Sequence, residues 1–402
     1  MLPSHLSPPL LVSLLALASA CSGTSGQTAP FPPPNASVSA APNPLVTAPL
    51  PLPASDPPPS VGSGVPLDAP VTDVKASDPA PFQALARGSG QAADRALVEG
   101  DDAYRRADFV AAQKAYQKAA TLAPKDAAPI VGLVRARLSA ERAPVDIAAA
   151  PGHPGLEQAV KDLERAVRLD GKFAPARVEL GRTLLVLGRV DEASAVLRKA
   201  IELAPSDTEA HSAFGVALLG TGNIEPAARE FEVAAGLEST SAVRFKNLGT
   251  ALLTAGKSAE AARAFERAAE LAPGDARIQN DLGTALLTLG ETDRAVVCLL
   301  DAVRRDPRRA TYRSNLGYAF AQKGELDRAM VIYREALALD ERLVSAWINL
   351  GNVFAKQRKF ASAREAYDKA LAIDPADPRV KAVIDELLAI EQSEGAGRKD
   401  KP

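Results

Sequence analysis

The chain has 402 residues, 47% hydrophobic but only 4% aromatic, so Ala, Leu and Val supply most of the apolar character and helix is favoured over sheet. Its 47 basic and 49 acidic residues leave a net charge of -2, without the strong field that capture of a nucleic acid or an acidic substrate requires. Two Cys and three His are too few for a Cys/His zinc site or a disulfide framework.

The apolar run at residues 10–20 is about half of the roughly 20 residues needed to span a bilayer, and it ends in Ala18, Ser19 and Ala20. It reads as the core of a signal peptide over residues 1–20. Leu17-Ala18-Ser19-Ala20-Cys21 resembles the lipobox of bacterial lipoproteins, which implies diacylation of Cys21 and a lipid anchor. With Ser22 after the Cys, the resemblance further implies an exported protein on the periplasmic face of the outer membrane. The pattern departs at two points: no Lys or Arg precedes the run, and Ala18 stands where Leu is usual. Cleavage that leaves Cys21 unmodified, or a cytoplasmic chain that keeps its apolar N-terminus, are the alternatives.

Residues 21–90 are rich in Pro, Ala, Ser, Gly and Thr, and hold 16 of the 32 prolines. Too little apolar surface is present to offset the entropy of ordering, which predicts a disordered, polyproline-biased tether. As a flexible coil it reaches about 45 Å and as full polyproline roughly 200 Å. A spacer is the plain reading, with a Pro-rich ligand for an aromatic groove the alternative.

Beyond the tether a period emerges. Gly181, Gly215, Gly249, Gly283, Gly317 and Gly351 lie 34 residues apart. Each is followed by an Ala (Ala193, Ala227, Ala261, Ala295, Ala329, Ala363), then a large apolar residue (Leu197, Phe231, Phe265, Leu299, Tyr333, Tyr367), then a second Ala. Pro closes the unit at Pro205, Pro273, Pro307 and Pro375. This pattern resembles the tetratricopeptide repeat (TPR), down to Trp347-Ile348-Asn349-Leu350-Gly351. The resemblance implies an all-α solenoid, a right-handed superhelix of helix-turn-helix units, preceded by the signal peptide and disordered linker.

Small residues at the Gly and Ala positions predict close helix approach, with the large residue filling the gap between them. A second series, Gly188, Gly222, Gly256, Gly290 and Gly324, predicts a left-handed residue ending each first helix. Arg358 breaks that series, so its turn must differ or be strained. Extended backwards, the frame gives a first unit at Gly100, Ala112, Tyr116 and Ala119. A second unit has its helices at Ile130, Leu133, Val134 and at Ala159, Leu163, Ala166, split by an insertion at about 139–155. Eight repeats therefore occupy residues 91–376. A capping helix is expected at 377–394, with Val380, Val383, Ile384, Leu387 and Leu388 turned inward, followed by a polar tail at 395–402.

Chemistry is sparse. His211 falls at a packing position, Cys298 precedes Leu299 as a small thiol, and no phosphate-binding glycine spacing or acid–base pair stands out. A non-enzymatic scaffold follows, with no cofactor, metal, nucleic acid or small-molecule substrate expected. In the family the inner face is lined by fixed first-helix positions, which here place Lys246, Asn247, Asn280, Asp281, Asn315, Tyr318, Asn349 and Asn352 in a candidate peptide-binding groove. Asn247, Asp281, Asn315 and Asn349 resemble the asparagine ladder of the O-GlcNAc transferase superhelix, where amides grip a peptide backbone. Asn being common at that position, family default is the alternative. The two-carboxylate clamp of chaperone-binding TPR domains is not met, because Thr250, Asp281, Thr311 and Asn315 replace its required residues. The whole resembles TPR lipoproteins that assist envelope assembly, such as pilus-biogenesis lipoproteins; a regulatory subunit of a separate envelope enzyme is the alternative.

Overall fold

The computed structural model describes residues 84–144 and 148–399. The leader, Cys21 and tether residues 21–83 lie outside the described residues. Among those described there are seventeen helices and no strand, and no helix is long and apolar enough to cross a membrane.

The helices pair into eight units: α1 (Ala92–Arg105) with α2 (Phe109–Leu122), α3 (Ala128–Ala140) with α4 (Pro154–Leu169), α5 (Ala174–Val186) with α6 (Val190–Leu203), and α7 (Thr208–Gly220) with α8 (Ile224–Leu237). The series continues with α9 (Ala242–Thr254) and α10 (Ser258–Leu271), α11 (Ala276–Thr288) and α12 (Thr292–Arg305), α13 (Ala310–Gln322) and α14 (Leu326–Leu339), and α15 (Val344–Lys356) and α16 (Phe360–Ile373). Each second helix packs on the next first helix, and first helices of most neighbouring units also touch, forming one inner face.

Local sequence sets the helix ends. Asp207 accepts from the N–H groups of Glu209 and Ala210, and Asp275 from those of Arg277 and Ile278, satisfying donors that a helix start leaves free. Pro129, Pro154 and Pro175 stand in first turns, where the missing N–H costs nothing. At the turn between paired helices the backbone is left-handed in every unit, through Gly188, Gly222, Gly256, Gly290 and Gly324, and through Ala107, Arg142 and Arg358. Arg358 thus keeps the shared turn and carries its strain, rather than adopting another.

Packing follows the small–large–small rule. The side chain after each first Ala lies against the helix-one Gly: a Cβ built on Gly181 would stand 2.4 Å from Leu197 Cγ, and one on Gly249 2.7 Å from Phe265 Cε1. Tyr116, Phe231, Phe265, Tyr333 and Tyr367 are at most 2% exposed, each contributing about 1.5–3 kcal/mol of burial.

Three boundaries differ from the sequence expectation. The second unit's turn is at Arg142, 35 residues after Ala107, so its frame starts one residue late. Its insertion is tied to the next unit, where Ala148 and Ala150 donate N–H groups to the Leu185 and Val186 carbonyls at the end of α5. The capping helix α17 (Pro378–Lys399) runs through the segment expected as a tail, with no proline to interrupt it. Val380 and Leu387 are buried against unit eight, with Val383 and Ile384 partly so. Residues 84–90, assigned by composition to the tether, are held against the first units, with Leu85 buried in their core.

Candidate binding surface

The inner face divides into zones of different chemistry. Across units two to five runs an ionic ladder: Arg135 Nε stands 2.5 Å from Glu179 Oε1, Arg182 lies 3.7 Å from Glu179 and 3.4 Å from Glu209, and Arg244 Nη2 stands 2.9 Å from Glu209. Arg244 also donates to Ser212 Oγ and Glu238 at 2.9 Å. Burial alone would raise the Glu179 carboxyl, but Arg135 and Arg182 outweigh it and hold it below the usual range. With side chains 6–14% exposed along the rungs from Arg135 to Arg244, the ladder joins neighbouring units and leaves few charges to a ligand. Helical periodicity alone did not single these residues out; charged residues at successive first-helix positions facing one seam were the available signal.

Across units five to eight the expected residues separate into two groups. Lys246, Asn247, Asn280, Asp281 and Asn315 are at most 7% exposed. Asn315 donates to Asn280 Oδ1 at 2.9 Å and Asn280 to Asp281 Oδ1 at 3.2 Å, so these amides bond along the seam between units instead of lining an open groove. Burial pushes the Asp281 carboxyl up to about 7, against the opposing pull of Asn280, Lys246 and Arg277. The second group is mixed: Tyr318 and Asn352 are half-buried, whereas Asn349 is 4% exposed. These three line a shallow surface depression with Gln322, Tyr333 and Lys356. Asn352 accepts the Tyr367 hydroxyl at 2.6 Å, which fixes its amide at the rim. Nearby, the buried hydroxyls of Thr311, Ser314 and Ser345 have no partner among the described residues.

The remaining chemistry-bearing residues are structural. His211 Nε2 donates to the Pro205 carbonyl at 2.8 Å while Nδ1 stands 2.7 Å from Glu230, tying α7 to α8 and to the preceding turn. Cys298 is a half-buried free thiol pushed up by burial. Among the described residues no group of His, Cys, Asp or Glu is placed to hold a metal ion.

Paired helices stacked through Gly–aromatic contacts, with an inner face formed by first helices, define a helical-repeat interaction scaffold. Tetratricopeptide-repeat family models match residues 156–213, 246–296, 281–343 and 344–377, and the chain belongs to that family. A search of curated proteins finds no match. Among solved structures, a chain of the APC/C hetero-tetramer Cut9–Hcn1 is 17% identical with a TM-score of 0.51, over 75% of this chain and 57% of that one. YrrB, described as a TPR protein with an unusual peptide-binding site, is 24% identical with a TM-score of 0.38, over 48% of this chain and 99% of its own. Pseudomonas aeruginosa PilF is 19% identical with a TM-score of 0.45, over 54% and 100%. These likenesses are of fold.

Proposed function

We propose that this scaffold is an exported lipoprotein, held to the periplasmic face of the outer membrane through Cys21 and a Pro-rich tether, whose repeats bind an extended segment of another envelope protein without catalysing a reaction. The anchor rests on the lipobox-like Leu17-Ala18-Ser19-Ala20-Cys21. The binding role rests on one observation above all: Tyr318 and Asn352, half-buried side chains from two units, meet at a shallow surface depression whose lining also includes the buried Asn349. An amide offers both donor and acceptor, as the backbone of an extended chain requires, and Tyr318 adds a flat apolar face. The buried Asn280–Asn315 seam takes the other part, fixing the spacing of neighbouring units.

In-cell crosslinking followed by recovery of partners tests the binding role. Changing Tyr318 and Asn349 together to Ala should remove the recovered partner while helix content stays at the parent level, and undiminished recovery would overturn the assignment of this depression. Membrane fractionation of Cys21→Ser against the parent tests the anchor separately; the variant should leave the membrane fraction.

A further inference from the structure

Residues 84–90 lie on the first units as a ligand would. They form no helix or strand, and their backbone is captured by carboxylates of α1. Leu85 and Ala86 donate their N–H groups to Asp101 Oδ2 at 2.8 and 3.1 Å, while the Tyr116 hydroxyl donates to the other oxygen at 2.8 Å. Arg87 N–H donates to Asp94 Oδ1 at 2.7 Å and Gly90 N–H to Oδ2 at 3.3 Å. Two side chains add recognition. Leu85 is 1% exposed in the core of the first units. The Arg87 guanidinium lies 4.9 Å from the Phe173 ring centroid, 3.0 Å from Asp126 and 3.6 Å from Asp170, reaching the edges of units two and three.

Several features mark this as an exchangeable occupant. Asp94 and Asp101 are 7% and 1% exposed, and without the segment Asp94 would lose these N–H donors and Asp101 would keep only Tyr116. With the segment gone both carboxylates gain access to water, so they favour any chain that supplies backbone donors again by the modest net margin of charge-assisted hydrogen bonds. The segment joins α1 through Gly88 and Gly90, both left-handed with open space around them, a connection any rearrangement can use as a hinge. Arg87 is half exposed, so its ion pairs add selectivity more than strength.

We propose that units one to three form a second peptide site, that residues 84–90 fill it in cis, and that its external ligand is an extended protein segment with an apolar residue followed two positions later by Arg or Lys. This deepens the scaffold reading and rests on it, but concerns a different part of the inner face. Backbone capture by Asp94 and Asp101 accepts any extended chain, whereas the Leu85 pocket and the Phe173–Asp126–Asp170 corner select its side chains.

The test uses the full-length chain and a fluorescent peptide of residues 82–91. Changing Leu85 and Arg87 together to Ser should free the site, so that the variant binds this peptide at least tenfold more tightly than the parent does. A peptide with Arg87→Glu should bind at least tenfold more weakly. A folded variant that ignores the peptide would make residues 84–90 a fixed cap and overturn the proposal. A second measurement needs no variant: saturating peptide added to the parent should speed hydrogen exchange at the amides of Leu85, Ala86 and Arg87, and unchanged exchange also overturns it. Partner recovery through Tyr318 and Asn349 is read separately, so failure here and failure of the scaffold reading are distinct.

Discussion

Gly351 and Tyr367 meet so closely within unit eight that a Cβ on Gly351 would stand 2.2 Å from Cε1 of the ring. The ring cannot swing aside, because it is 2% exposed and its hydroxyl is held by Asn352. Gly351→Ala should therefore destabilise the domain by about 1–3 kcal/mol, overcoming the gain of up to about 1 kcal/mol that Ala brings to a helix interior. Gly236, in α8, has nothing within 4 Å of the same construction, so Gly236→Ala should be neutral or stabilising. Denaturant unfolding of both variants checks the contrast, and Ala261→Leu, at a position with 0% exposure, should lose a similar 1–3 kcal/mol.

The turn between paired helices isolates backbone strain from packing. Gly290 has φ 76° and open space at its Cβ, so Gly290→Ala adds only the left-handed penalty, about 1–2 kcal/mol. Ala107 adopts φ 57° at the equivalent turn of unit one. Ala107→Gly should relieve that strain, less the extra freedom Gly gains when unfolded, for a net stabilisation of about 0.5–1 kcal/mol. Opposite shifts of the unfolding midpoint are expected, and equal signs would refute the assignment of a shared left-handed turn energy.

The spacing of small and large residues made this fold legible, because Gly249, Ala261 and Phe265 meet in space as their 34-residue recurrence requires. Three features escaped it. A charged residue such as Arg244 fits a helix pattern equally well facing water or a buried Glu209, and only the stacking of unit five on unit four decides. Asn315 sits at the position expected of a peptide-gripping amide, yet the inner face is tight enough there for it to reach Asn280 of the neighbouring unit. Leu85 and Arg87 are embedded in tether-like composition, and the acids that hold them are spread over four loci from Asp94 to Asp170. Composition reads segments, whereas docking depends on a few side chains brought together by the solenoid.

The ionic ladder carries its own prediction. Glu209 lies between Arg182 and Arg244, 3.4 and 2.9 Å away, and is itself 8% exposed. Glu209→Gln would leave Arg182 with Glu179 alone and Arg244 with Glu238 alone in a poorly hydrated seam, a loss of about 1–3 kcal/mol. Changing Glu209→Met together with Arg244→Met should recover much of that loss, since apolar side chains need no partner. A double-mutant cycle by urea unfolding measures the coupling. Additive losses would show that the contacts between units four and five do not depend on this pairing.

Asp281 gives the repeats a pH dependence. Its carboxyl is pushed up to about 7 by burial, from an ordinary value near 4, so the folded state binds a proton that the unfolded state releases between those values. The groups facing it, Asn280, Lys246, Arg277, Asp275 and Tyr312, come from α9, α11, α13 and the turn before α11. Because the folded state holds the extra proton, the Asp281 contribution falls as pH rises from about 4 to about 7 and then stays level. Asp281→Asn supplies the amide found at Asn247, Asn315 and Asn349 and removes the titrating group. The variant should be more stable than the parent at pH 8 by about 2–4 kcal/mol, with the difference closing toward pH 4. Urea unfolding across that range is the measurement, and a difference independent of pH would mean that Asp281 stays ionised in the fold.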